Sequence, residues 1–182
     1  MKSFSKCGSV LAVLFLLAGT AMGSEALATG TIKGVNADKS EFVLTDTAGK
    51  DVTFKLSDMF VVNRGGTESK SDLKVGDTVN VSYDKGMVTS TAKYILVQEG
   101  DSKKWDLAQG SFKSYDATKK EIICTDAQGK DCTYAMGQAK VRMNKKEAKV
   151  EDLKIGEHVL CIVPKTAGDK TTLQALMFER AK

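Results

Sequence analysis

The chain carries one histidine, one tryptophan and one proline. A single imidazole leaves little from which to assemble a His-rich metal or acid–base centre, and no His-Glu-x-x-His occurs. There is no Gly-rich phosphate loop and no paired nucleophile-and-base signature, so catalysis is not expected. Cys-x-x-Cys is absent, which removes the compact zinc and redox motifs. Charge of one sign is lacking too: the net charge is only +4, with acidic and basic residues interspersed. That is not the footprint of a nucleic-acid binder. The apolar run at 10–18 falls well short of the roughly 20 residues that span a bilayer.

That run instead belongs to an export signal. Lys2 and Lys6 precede it, and small residues follow as Ala21-Met22-Gly23 and Ala26-Leu27-Ala28. This is the charged, apolar and cleavage pattern of a secretory leader. The expected cut follows Ala28, with Gly23 as the alternative. The leader is therefore taken as 1–28, and no transmembrane segment is expected after its removal. The net charge is then +3, since Lys2, Lys6 and Glu25 leave with it. The expected location is the bacterial periplasm or the medium.

The most informative stretch is Thr45-Asp46-Thr47-Ala48-Gly49-Lys50-Asp51. It returns 80 positions later as Thr125-Asp126-Ala127-Gln128-Gly129-Lys130-Asp131. Gly30 and Gly110, Lys33 and Lys113, and Val79 and Val159 keep the same offset. So do Asp72-Leu73-Lys74-x-Gly76 and Asp152-Leu153-Lys154-x-Gly156. Self-similarity at a fixed offset reads as an internal repeat. Two repeats, 29–99 and 110–182, are expected on either side of a polar linker at 100–109.

Within each copy the apolar period is two, the period of strands. Copy one gives strands around Thr31–Val35, Phe42–Leu44, Val52–Leu56, Val79–Tyr83 and Tyr94–Val97, with a short extra strand within 59–63. Asp46 and Asp126 start turns, Gly49 and Gly129 supply positive φ, and Asp72 and Asp152 look like helix N-caps. Five short strands in about 70 residues suit an OB-like Greek-key barrel. The expected fold class is all-β: two tandem OB-like barrels of five to six strands each.

Gly-x-Ile/Phe-Lys (Gly30–Lys33, Gly110–Lys113), the Asp-x-x-Gly-Lys hairpin and Asp-Leu-Lys-x-Gly-Asp/Glu together resemble an uncharacterised family of exported bacterial OB-like barrels. The second copy has Glu157 where the first has Asp77. The layout is also similar to the small periplasmic barrels that carry copper or silver to efflux pumps. Those barrels use a His, two Met and a Trp on and near the second and third strands. Here neither hairpin has a His or a Trp. The resemblance implies the scaffold; the metal residues have no counterparts at those positions.

Cys124, Cys132 and Cys161 all fall in copy two, at inward positions where copy one has Leu44, Val52 and Val81. A three-residue loop at 127–129 sets Cys124 opposite Cys132, within disulfide range. Three readings stand: a disulfide, buried thiols, or a site for copper or another soft ion. Met136, Met143 and Met177 read as core filler. His158 is out of phase with inward Val159 and Cys161, so it points outward. Lys140, Arg142, Lys145, Lys146 and Lys149 form a basic run, suited to a solvated edge or to an anionic polysaccharide or lipid headgroups. The expected function is a non-enzymatic binding or interaction module of the cell envelope without a cofactor, its partner an envelope protein or an anionic polymer. The alternative is a soft-metal carrier using the three thiols.

Overall fold

A computed structural model describes residues 24–70, 73–166 and 171–180. The leader up to Gly23 and the N-cap expected at Asp72 lie outside the described residues. The fold is all-β, as the alternating pattern requires.

The first half contains β1 (Ser24–Asn36), β2 (Glu41–Asp46), β3 (Asp51–Arg64), β4 (Thr67–Ser69), β5 (Thr78–Lys85) and β6 (Ser90–Val97). β1 pairs antiparallel with both β2 and β5. β2 continues to β3, β3 runs parallel to β6, and β6 returns antiparallel to β5. Five strands thus close into a ring, and β4 folds back on the end of β3. Closure leaves no open sheet edge in the ring. Phe42 stacks on Phe54 with centroids 5.2 Å apart, and Phe54 meets the edge of Tyr83 at 4.9 Å. Ile32, Leu44, Val79, Val81 and Ile95 fill the space around them.

The second half contains β7 (Trp105–Asp116), β8 (Glu121–Thr125), β9 (Asp131–Ala135), β10 (Lys140–Met143), β11 (Lys146–Glu147), β12 (His158–Pro164), β13 (Thr171–Thr172) and β14 (Ala175–Phe178). β7 pairs with β8 and β12, β8 with β9, and β12 with β14. β9 and β10 run parallel to β13 and β14, as β3 runs parallel to β6. The ring is therefore the same, with two of its strands each broken in two. Gly137 is the cause of one break: it sits at φ +49, and Ala139 N–H donates to the Met136 carbonyl at 2.8 Å, turning the chain out of the strand.

Positions 80 apart do the same work. Asp46 accepts the N–H groups of Ala48 and Lys50 at 2.9 and 2.8 Å, and Asp126 accepts those of Gln128 and Lys130 at 2.9 Å each. A Cβ on Gly30 would lie 2.2 Å from the Thr45 carbonyl oxygen; on Gly110 it would lie 2.6 Å from that of Thr125. Only glycine lets the first strand pass so close to the second. Gly76 and Gly156 turn the chain so that their N–H groups donate at 2.8 Å to the carbonyls of Ile32 and Phe112. Each contact sits at the bulge in the first strand of its ring.

Three details of strands and turns differ from the expected layout. Ser24–Ala28, which the expected leader includes, form the start of β1 and pair with Lys85–Val81. Residues 105–109, assigned to the linker, are the start of β7, because Leu107 and Trp105 have apolar surface to cover there. Asp152 ends a short 3-10 turn, Val150–Asp152, and its carboxylate accepts the N–H of Lys149 at 2.9 Å, so Lys149 is the N-cap.

The two barrels meet through residues that face outward from their own rings. Tyr94 and Leu96 on β6 pack with Leu107 on β7, Leu160 and Ile162 on β12, and Ala175 on β14. These strands are buried on both faces, and such strands read as unbroken apolar runs.

Candidate functional site: the cleft between the barrels

The three thiols come first, since the sequence pointed to them. Cys124 and Cys132 are direct partners across β8 and β9, the register the loop length predicts. Cys124 and Cys161 are buried in the second core, and Cys132 is half-buried. All three are free thiols. A hydrogen bond with Cys161 favours the thiolate at Cys124; the same bond and burial push the Cys161 thiol well up. Burial, then the neighbouring Cys161 and Cys132, push the Tyr134 hydroxyl up as well. Among the described residues no three His, Cys, Asp or Glu side chains are arranged to hold a metal ion. Met136 fills the same core, as expected, and Met143 packs against it. Met177 does not: it reaches the barrel junction.

The junction opens on one side into a cleft of about 320 Å³. Its floor is apolar: Phe60 and Val61 from β3, Leu160 from β12, Met177 and Phe178 from β14. Val61, Leu160 and Met177 belong to the junction core, so the floor is held by the contact that joins the barrels.

Its wall is charged, and three of its ion pairs cross from one barrel to the other. Glu25 on β1 accepts from His158 Nδ1 on β12. Glu68 on β4 pairs with Arg142 on β10 and also accepts the Tyr94 hydroxyl at 2.9 Å. Lys93 on β6 lies 3.1 Å from Glu179, and within its own barrel 2.9 Å from Glu25 and 3.1 Å from Asp84. Burial pushes the Glu25 carboxyl up, but hydrogen bonds from His158 and Lys93 outweigh it and hold the group at about 2. Burial likewise opposes the charge on Lys93, and its carboxylate neighbours more than restore it. Tyr94 is pushed up to about 12 by burial, against a hydrogen bond donated by Asn63 at 3.0 Å.

The expected basic run divides. Arg142 and Lys145 line the cleft, Lys145 as an exposed residue, whereas Lys140, Lys146 and Lys149 are exposed and do not line it. The five do not make one stripe, because they sit on different pieces of chain: Lys140 and Arg142 on β10, Lys145 in the turn after it, Lys146 on β11 and Lys149 at the start of the 3-10 turn. His158 does point out of its barrel, as its phase requires, and the second barrel's outside is there the cleft wall. Sequence reasoning missed the cleft itself. The available signal was the unbroken runs Tyr94-Ile95-Leu96-Val97 and Val159-Leu160-Cys161-Ile162-Val163, too apolar for strands with one wet face.

No protein-family model matches the chain, and no curated protein matches it. Among solved structures the chain is similar to CusF of Escherichia coli. The silver-bound form is 19% identical, with 42% of this chain and 95% of that chain covered and a TM-score of 0.35. The metal-free form is 18% identical, with 44% and 95% covered and a TM-score of 0.36.

Proposed function

We propose that this is an exported, non-enzymatic binding module of the cell envelope, built from two OB-like barrels, whose ligand site is the cleft between them. One observation carries the reading: a cleft of about 320 Å³ with an apolar floor and a charged wall contributed by both barrels. Small-molecule sites are concave and mainly apolar, with a few placed polar groups. The thiols are not among the lining residues, so the cleft holds no activated sulfur nucleophile. The wall's ion pairs fix the mouth. His158, Arg142 and Glu179 of one barrel answer Glu25, Glu68 and Lys93 of the other.

The mature chain begins at Ser24 in this reading. A cut after Ala28 would remove five residues of the β1–β5 ladder and the carboxylate of Glu25, leaving Lys93 and His158 without it. The mass of the exported protein checks this directly.

A neutral solvatochromic dye tests the site. The mature protein should take up one equivalent with a blue-shifted emission. Val61→Trp and Leu160→Trp, which fill the floor, should each abolish uptake while leaving the β-sheet circular dichroism unchanged. Undiminished uptake by two folded variants would place the binding site elsewhere.

A further inference from the structure

We infer that the cleft takes an anionic amphiphile, its head held between Lys70 and Lys145 at the mouth and its apolar body on the floor beneath. The inference rests on the cleft being the binding site. Both lysines line the cleft, Lys70 from the first barrel and Lys145 from the second. Every other cation of the wall has a carboxylate: Lys93 has three and Arg142 has Glu68. Among the described residues neither Lys70 nor Lys145 forms an ion pair; Lys70 donates to the Asp58 carbonyl at 2.8 Å. Glu179, the carboxylate nearest in effect to Lys145, is engaged by Lys93.

The site is also uncomfortable for positive charge as it stands. Burial pushes the Lys145 ammonium down, and the charge of Lys70 adds to that, with Glu179 opposing. Both lysines are exposed, and an anion between the two ammonium groups offsets the repulsion of these like charges. Lys145 follows Asn144, and both hold positive φ, at 67° and 49°. This turn carries Lys145 off the end of β10, where it lines the cleft. Phe60, Val61, Leu160, Met177 and Phe178 below offer only apolar surface. A carboxylate or phosphate head and an alkyl body match these two zones in order. Lys140, Lys146 and Lys149 do not line the cleft and have no such floor.

Titration calorimetry on the mature protein, with dodecanoate, dodecyl phosphate and the neutral dodecanol as probes, tests the inference. Both anions should bind at one equivalent, about tenfold tighter than dodecanol. The tighter of the two identifies the head as fatty-acid-like or phospholipid-like. The double variant Lys70→Gln, Lys145→Gln should lose that advantage and bind dodecanol as before. Equal affinity for dodecanol and both anions, or an unchanged anion affinity in the double variant, overturns the head-group assignment. Dye uptake with no preference for the anions removes only this inference. Loss of neutral-dye binding in the unmodified protein removes the cleft reading itself.

Discussion

The two barrels share a backbone plan and differ in what fills it. Their turns, close-approach glycines and end-closing corners coincide position by position at the offset of 80. Their cores do not. Phe42, Phe54 and Tyr83 form an aromatic stack in the first barrel, where the second has Ile122, Tyr134 and Val163. The closing carboxylates show the same division. Asp77 is gripped by Arg64 from β3 through two hydrogen bonds of 3.1 and 2.5 Å. Glu157 is gripped by Arg180 from the chain's last strand region at 2.7 and 2.9 Å. Each also accepts a backbone N–H, of Lys74 or Lys154, at 2.8 Å. A carboxylate is needed at that corner, and which arginine answers it is free to change. Backbone geometry thus constrains this fold more tightly than side-chain identity does.

The largest expected effect tests the difference in packing. Phe54→Ala removes the ring between Phe42 and Tyr83 and should cost about 3–5 kcal/mol in urea unfolding. Tyr134→Ala, at the matching position, should cost less, since Tyr134 is only half-buried. Equal losses would mean that the second core is packed as tightly as the first.

How far the molecule was legible follows from where its information lies. The hairpin Asp, the Gly corners and the period of two are local, so they announced turns and strands directly. The break between β9 and β10 depends on one residue, Gly137, whose φ no periodicity reveals. β1 was cut short because Ser24–Ala28 carry small residues that satisfy a protease pattern as well as a strand. The cleft was hidden for a different reason. Its residues come from β1, β3, β4, β5, β6, β10, β12 and β14, and nothing local in the chain ties Glu25 to His158 or Glu68 to Arg142.

The thiols sharpen the comparison at a smaller scale. Leu44 faces Val52 in the first barrel where Cys124 faces Cys132 in the second. Cys161 lies on β12, with β7 between it and β8, whereas Cys132 stands directly opposite Cys124. In an oxidising compartment the bridge should therefore be Cys124–Cys132, with Cys161 left as a buried thiol. The closed loop of about nine residues sets a ceiling of roughly 3 kcal/mol, reduced by any strain. Alkylation before and after reduction, read by mass spectrometry, should find one free thiol and then three. Reductant should lower the melting of the second barrel alone. Three free thiols without reduction, together with uptake of one equivalent of Cu(I), would make the trio a metal site and reverse the assignment.

The smallest effect is the most exacting test of the shared plan. Asp46 and Asp126 each accept two backbone N–H groups, and Gly49 and Gly129 donate back to their carbonyls at 3.0 Å. Gly49 and Gly129 hold φ of 80° and 81°. Around each turn a threonine and a lysine bind the next aspartate. Thr45 donates to Asp51 at 2.7 Å and Thr125 to Asp131 at 2.9 Å, with Lys33 and Lys113 on the other oxygen. These lysines hold both carboxyls below the ordinary aspartate value, the threonines adding to the effect. Both turns are exposed, so neither gains from burial. Asp46→Ala and Asp126→Ala should then each cost about 1 kcal/mol, the ordinary worth of a local side-chain-to-backbone bond. The measurement is urea unfolding of the two single variants and the double. The two losses should agree within about 0.5 kcal/mol and add in the double variant, because the turns are distant and share no partner. A loss confined to one barrel would show that equal turn geometry does not carry equal energy, and that the second ring depends on its hairpin differently from the first.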